Sequence, residues 1–210
     1  MTNINCNKND NLPVMMYLHG FMSGANGAKQ RQLQKRFKGQ FRVIAPELYA
    51  EPEISLKIIN ELIEKEKPEI IVGTSLGGFM ALMCEAADAD LVIVNPCLFP
   101  NTQLALWCDK ELPYFCQRLD GVQTYRLTQA VLDRYLDYNI FDILQAINHH
   151  VWALCSTADD LLGDSHVQAL EKLLPKNHLT IVDDFGHQCN GAGLTHLYDL
   201  IERVIAYRRY

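Results

Sequence analysis

The chain has 210 residues, 49% of them apolar and 21% charged, which suits one domain with a sizeable core and leaves too little length for two independent ones. Its formal net charge of −6 argues against a general nucleic-acid or anionic-membrane surface, because neutralising phosphates takes clustered Lys and Arg. No apolar run approaches the ~20 residues a membrane helix needs, and the polar start MTNINCNKNDN lacks the apolar segment of a signal peptide.

In chain order, the apolar run 13–19 (PVMMYLH) predicts a first strand. A helix follows whose basic stretch, Lys29 to Lys38, is expected as a solvated outer face. A strand is predicted over 41–46 (FRVIAP), then a helix over 52–66 with Ile58, Ile59, Leu62 and Ile63 on one side. The next pair is a strand at 69–74 (EIIVGT) and a helix at 77–88 carrying Phe79, Met80, Leu82 and Met83. Another strand is predicted at 91–96 (LVIVNP).

About 50 residues without a convincing strand then intervene. They hold Trp107, Tyr114, Phe115, Tyr125, Tyr135, Tyr138 and Phe141. Structureless loops of that length are rare in compact domains, so helices inserted over the sheet are expected, with the aromatics as their core or as walls of a pocket. Strands return at 151–157 (VWALCST) and 179–184 (LTIVDD). Between them lies a helix at 164–174, capped by Asp164, with Val167, Leu170, Leu173 and Leu174 turned inward. The last helix, about 192–207, spaces Leu194, Leu197, Tyr198, Ile201, Val204 and Ile205 helically. Strands apolar on both faces, alternating with amphipathic helices, predict an α/β fold: a doubly wound, mostly parallel sheet in a single domain.

The seven cysteines (Cys6, Cys84, Cys97, Cys108, Cys116, Cys155, Cys189) include no CxxC pair and read as reduced, mostly buried thiols of a cytosolic protein. Of the seven histidines, His149-His150 reads as a loop before a strand, His166 and His178 as surface residues, and His196 as part of the last helix. None shows ligand spacing, so no metal and no cofactor is implied.

The chemistry centres on Gly73-Thr74-Ser75-Leu76-Gly77, a G-x-S-x-G between a predicted buried strand and a helix. Lifting a serine off a strand end requires so sharp a turn that side chains two residues away on either side would collide, hence Gly73 and Gly77. Gly78 lets the helix approach the sheet. By itself the stretch also fits a glycine-rich turn that binds phosphate, although the Gly-Lys-Ser/Thr ending of a P-loop is missing. A nucleophilic serine needs a base, an orienting acid and oxyanion donors. His187 lies just past the 179–184 strand, and Asp159 and Asp160 just past the 151–157 strand. The order serine, acid, histidine is that of α/β-hydrolases; the chymotrypsin order would need an Asp between His19 and Ser75, and there is none. The backbone N–H groups of Phe21, in YLHGF, and of Leu76 are the expected oxyanion hole, with His19 bracing the loop.

Together, YLHGF, VIAPEL, IIVGTSLGGFMAL, VIVNPCLFP, STADDLL and FGHQ resemble the α/β-hydrolase superfamily, and within it the small bacterial YqiA-type esterases, over about residues 12 to 205. The resemblance implies a serine hydrolase acting on esters or thioesters, with a small-molecule substrate, a lid at about 99–147, and Asp159 rather than Asp160 as the acid. Two departures stand out: serine in place of glycine at 156, and Met22 after HGF, where small or polar residues are more usual. An acyltransferase or thioesterase with the same triad, or a non-catalytic binder on the same fold, are the alternatives.

Overall fold

The computed structural model describes residues 12–86 and 88–209. The start of the chain, with Cys6 and the segment read as lacking a signal peptide, lies outside the described residues. The element order is β1 (Val14–Leu18), α1 (Ala28–Arg36), β2 (Arg42–Ile44), α2 (Pro52–Glu66), β3 (Ile70–Thr74), α3 (Leu76–Met83) and β4 (Asp90–Val94). Next come α4 (Pro100–Gln103), β5 (Glu111–Pro113), β6 (Thr124–Arg126), α5 (Gln129–Arg134) and α6 (Ile140–Ile147). β7 (Val151–Ser156), α7 (Ser165–Leu173), β8 (Leu179–Val182) and α8 (Ala192–Arg208) complete the chain.

Six strands form one sheet in the order β2-β1-β3-β4-β7-β8, every neighbouring pair parallel. Side chains alternate across it with the two-residue period of extended backbone. Met15, Tyr17, Ile70, Val72, Val92 and Val94 face a core built with Leu33 of α1, Phe37 just past its end, and Leu197, Ile201 and Val204 of α8. Met16, Leu18, Ile71, Leu91 and Ile93 face Ile59 of α2, Phe79 and Met80 of α3 and Leu170 of α7. The sheet is therefore covered on both sides, and its strands read as continuous apolar runs for that reason.

The helices begin and end where local chemistry allows. Pro52 opens α2 at a position where its missing N–H is harmless, and Lys67 closes it in the left-handed region. The predicted 77–88 helix is shorter than expected: Cys84 turns extended, and Asn60 Oδ1 takes the Glu85 N–H. Asp164 stands before α7 but caps no backbone N–H; its Oδ2 accepts from Gln168 Nε2 at 2.8 Å.

The segment between β4 and β7 departs from the expectation of helices alone. It contains α4, α5 and α6, and also a two-stranded antiparallel pair, β5 with β6. Each strand is three residues long, too short for alternation to register in the sequence. Its aromatics divide between roles. Tyr135 and Tyr138 pack edge-on to Phe79 at 5.3 and 5.8 Å, and Trp107 lies 6.1 Å from Phe21. Phe115 and Phe141 are exposed. No described helix is long and apolar enough to cross a membrane.

Candidate active site

The chain order of the sheet reverses between β1 and β3, and the loops leaving neighbouring strands there open a crevice at their carboxyl ends. Ser75 sits on the turn after β3 with φ 54° and ψ −122°, a conformation that costs a non-glycine residue on the order of 1–3 kcal/mol. The turn is held from three sides. Ser75 N–H donates to Val94 O at 3.0 Å, and Ser75 O accepts from the N–H groups of Gly78 and Cys97 at 2.9 and 3.0 Å. A methyl at Gly77 would run into the carbonyls of Leu18 and His19, and one at Gly73 into the backbone of Gly77 and Gly78. At Gly78 it would meet Pro96 Cβ at 2.9 Å, so this glycine admits the loop after β4.

His187, on the loop after β8, places Nε2 2.9 Å from Ser75 Oγ and Nδ1 2.8 Å from Asp159 Oδ2. Asp159 follows β7, and its side chain is wholly buried. Burial alone would raise the carboxyl's pKa. The His187 hydrogen bond and the N–H groups of Leu162 and Leu161, at 2.8 and 2.9 Å from Oδ1, outweigh it and hold the pKa below the usual carboxylate value. An ionised carboxylate can only accept, so His187 Nδ1 carries the proton and Nε2 is left to accept from the Ser75 hydroxyl. Asp160, the neighbouring candidate, is exposed and takes part in no hydrogen bond among the described residues.

Phe21 and Leu76 meet at the same end of the sheet, both lining a narrow crevice with Gly20, Met22, Met80 and Tyr114. Neither the Phe21 N–H nor the Leu76 N–H donates to another described residue. The loop carrying Phe21 is braced by His19, which is buried: Leu48 N–H donates to its Nε2 at 3.0 Å, so Nδ1 bears the proton and donates to Gly20 O at 2.9 Å. Met22 takes φ 58° with its side chain buried, and its carbonyl accepts from Phe115 N–H at 2.8 Å.

Several residues that shape this end carried no motif. Glu47, directly after the second predicted strand, accepts from Ala25 N–H and Leu119 N–H and pairs with Arg118 at 3.3 Å. Arg118 is fully buried, forked onto Asp120 and stacked between the rings of Tyr49 and Tyr114 at 5.0 and 4.5 Å. It straps the β5–β6 connection to the loops after β1 and β2. A lone arginine among exposed residues gave no signal of this in the sequence. Lys29, read as part of a solvated face, instead reaches Gln188 O at 2.6 Å and Cys189 O at 3.3 Å, anchoring the loop beyond His187.

Two other histidines correct the surface expectation. His178 is buried, stacked on Trp152 at 3.8 Å, with Nδ1 on Val151 O at 3.1 Å. His166 is fully buried on α7, with neither ring nitrogen bonded to a described residue. His149 and His150 form a short 3₁₀ turn before β7, and His196 lies on α8, with Nε2 2.9 Å from Asp184 Oδ2. As residues, Cys97, Cys155 and Cys189 are buried and Cys84, Cys108 and Cys116 half-buried, and all six thiols are free. Burial pushes the Cys84 thiol up to about 12 and that of Cys189 to about 11.

The fold is similar to those of solved α/β-hydrolases. Est1E from Butyrivibrio proteoclasticus superposes with a TM-score of 0.72 at 15% identity, over 95% of this chain and 89% of that one. The monoacylglycerol lipase of Paleococcus ferrophilus gives 0.66 at 17%, over 93% and 96%. Mouse alpha/beta hydrolase domain-containing protein 10 gives 0.63 at 14%, over 93% and 90%. No curated protein matches the sequence. The profile of one family matches residues 14–207, nearly the whole described chain: this protein belongs to the uncharacterised protein family UPF0227, on an α/β-hydrolase fold.

Proposed function

We propose that the protein is a serine hydrolase that cleaves carboxylic esters through an acyl-enzyme. The observation that carries this reading is the chain Ser75 Oγ to His187 Nε2 to Asp159 Oδ2, at 2.9 and 2.8 Å, built on a strained serine at a strand–helix turn. His187 takes the hydroxyl proton as Ser75 Oγ attacks the ester carbonyl carbon. The carbonyl oxygen gains the charge and is met by the N–H groups of Phe21 and Leu76, with the first turn of α3 adding its positive end. As the carbon–oxygen bond to the leaving alcohol breaks, His187 hands the proton to that oxygen. Water, deprotonated by the same imidazole, then attacks the acyl-serine and releases the acid. Asp159 stays ionised throughout, fixing the imidazole tautomer and stabilising its cation.

The whole chain is read as one hydrolase domain in which residues 99–147 form the lid over the site. Six free thiols favour a reducing, cytosolic compartment. The net charge of −6 favours small-molecule substrates over nucleic acids. The test pairs a fluorophosphonate probe with p-nitrophenyl esters of graded acyl length, on the protein and on Ser75→Ala. Labelling and turnover that vanish in Ser75→Ala are expected; absence of both in the unaltered protein would sink the reading.

A further inference from the structure

Asp159 and His187 belong to separate loops, and their 2.8 Å contact requires those loops to keep register beyond the sheet that aligns them. The β7–β8 ladder ends at Ser156 opposite Val182, with Thr157 N–H on Val182 O at 2.8 Å. Thr157 Oγ1 donates to the same carbonyl at 3.3 Å, and beyond Val182 one hydrogen bond other than the Asp159–His187 contact reaches the base loop from Ser156 or the acid loop among the described residues. It runs from Ser156 Oγ to Phe185 O, two residues before His187. A carbonyl only accepts, so the serine hydroxyl donates to Phe185 and is free to accept from Ala158 N–H, which it does at 3.1 Å. One buried oxygen thus folds the acid loop back on itself and ties it to the base loop.

Ser156 is itself held from the other side. Its N–H donates to Asn95 Oδ1 at 2.8 Å, Asn95 N–H donates to Leu154 O at 3.0 Å, and Ser75 N–H donates to Val94 O at 3.0 Å. These bonds run across the carboxyl ends of β3, β4, β7 and β8 and touch the loops of nucleophile, acid and base in turn. Asn95 and Ser156 are fully buried, and Asn95 accepts φ 39° to make its contact. Serine at 156 replaces the glycine expected there from the α/β-hydrolase pattern, and glycine could supply only the backbone half of this linkage.

We propose that Ser156, seated by Asn95, is a positioning residue that sets the Asp159–His187 geometry. The proposal rests on the serine-hydrolase reading for its kinetic consequence only. A misplacement of about 1 Å in a catalytic array costs on the order of 10²-fold. Ser156→Ala should therefore lower kcat by roughly 10- to 100-fold with KM within about twofold. Ser156→Thr, which keeps the hydroxyl, should retain most activity. The far-downfield proton resonance of His187 Nδ1–H reads the same geometry without turnover; it should shift or broaden in Ser156→Ala and persist in Ser156→Thr. Asn95→Gly tolerates the left-handed backbone and removes the buried carboxamide, with it the Oδ1 that holds Ser156 N–H, so it decides by the same readings should Ser156→Ala not fold. Unchanged kcat and an unchanged resonance in these variants would overturn the proposal. If the unaltered protein shows no Ser75-dependent turnover, the hydrolase reading falls, while the resonance still decides the role of Ser156.

Discussion

His187 Nδ1 lies 2.8 Å from Asp159 Oδ2, while Asp160, the next residue, stands exposed with no hydrogen bond among the described residues. The distinction arises because the Leu161 and Leu162 N–H groups gather on Asp159 Oδ1 and turn that carboxylate inward. Asp159→Asn should lose on the order of 10⁴ in kcat, since an amide in its place stabilises the wrong imidazole tautomer. Asp160→Asn should stay within about twofold, as exposed substitutions away from the reacting groups usually do. Steady-state kinetics on a p-nitrophenyl ester decide between them, and a crippled Asp160→Asn would reverse the assignment.

Gly77 cannot carry a side chain without displacing the main chain of β1. The carbonyls of Leu18 and His19 lie in the way, and backbone in a parallel ladder has no rotamer to change. Gly77→Ala is expected to cost about 3 kcal/mol or more, lowering Tm by roughly 6–12 °C. Gly186→Ala, whose nearest neighbour would be Asp160 Oδ1 at 3.6 Å, should leave Tm nearly unchanged. Thermal melts followed by circular dichroism compare the two.

The buried strap through Arg118 gives the protein an acid-sensitive joint. The Arg118 hydrogen bonds, against the opposing effect of burial and with help from Val122 N–H and Tyr49 O–H, draw the Asp120 carboxyl down to about 2. A depressed folded value means stability that is fully present above the unfolded value, near 4, and lost as pH falls toward about 2. Asp120→Asn should therefore lower Tm at pH 7, with the gap closing between about pH 4 and 2. Arg118→Leu should cost more, about 3–5 kcal/mol, because it strands Glu47 and Asp120 without their cation. A Tm difference for Asp120→Asn that does not change with pH would contradict the ion-pair origin.

His166 adds a milder dependence near neutrality. Burial, the largest influence, lowers its pKa; Asp159 and Asp164 pull upward and His187 downward, and the balance stays below the ordinary value. The unfolded chain therefore takes up this proton first, and stability falls as pH drops below about 6.5. His166→Met fills the same core without a titrating group and should flatten that slope. Urea midpoints at pH 7.5 and 5.5 measure it, and parallel slopes in the two proteins would refute the link.

Much of this was legible from local pattern. Apolar runs of five residues marked the strands because a sheet covered on both faces demands apolar side chains on both. Gly73, Ser75 and Gly77 were readable because the sharp turn excludes any other residue at the flanking positions. His187 and the Asp159–Asp160 pair stood out as candidates by their place after late strands. The β5–β6 pair escaped because three-residue strands carry no periodicity, and His166 and His178 were misplaced because a polar side chain next to a helix or strand end says nothing of which way it points.

What the sequence alone determined is the six strands of the main sheet, the helices that alternate with them outside the 99–147 segment, their order and the residue types at the strand ends, all of which follow from short-range sterics and the two- and 3.6-residue periods. What only the tertiary structure decided is which side chains meet across the sheet. Arg118 reaches Glu47 over 71 positions, Lys29 reaches Gln188 over 159, and Ser156 reaches Phe185 over 29. Such contacts are set by the packing of whole loops against one another. Within a local window, each of these residues is only a polar side chain with many possible partners.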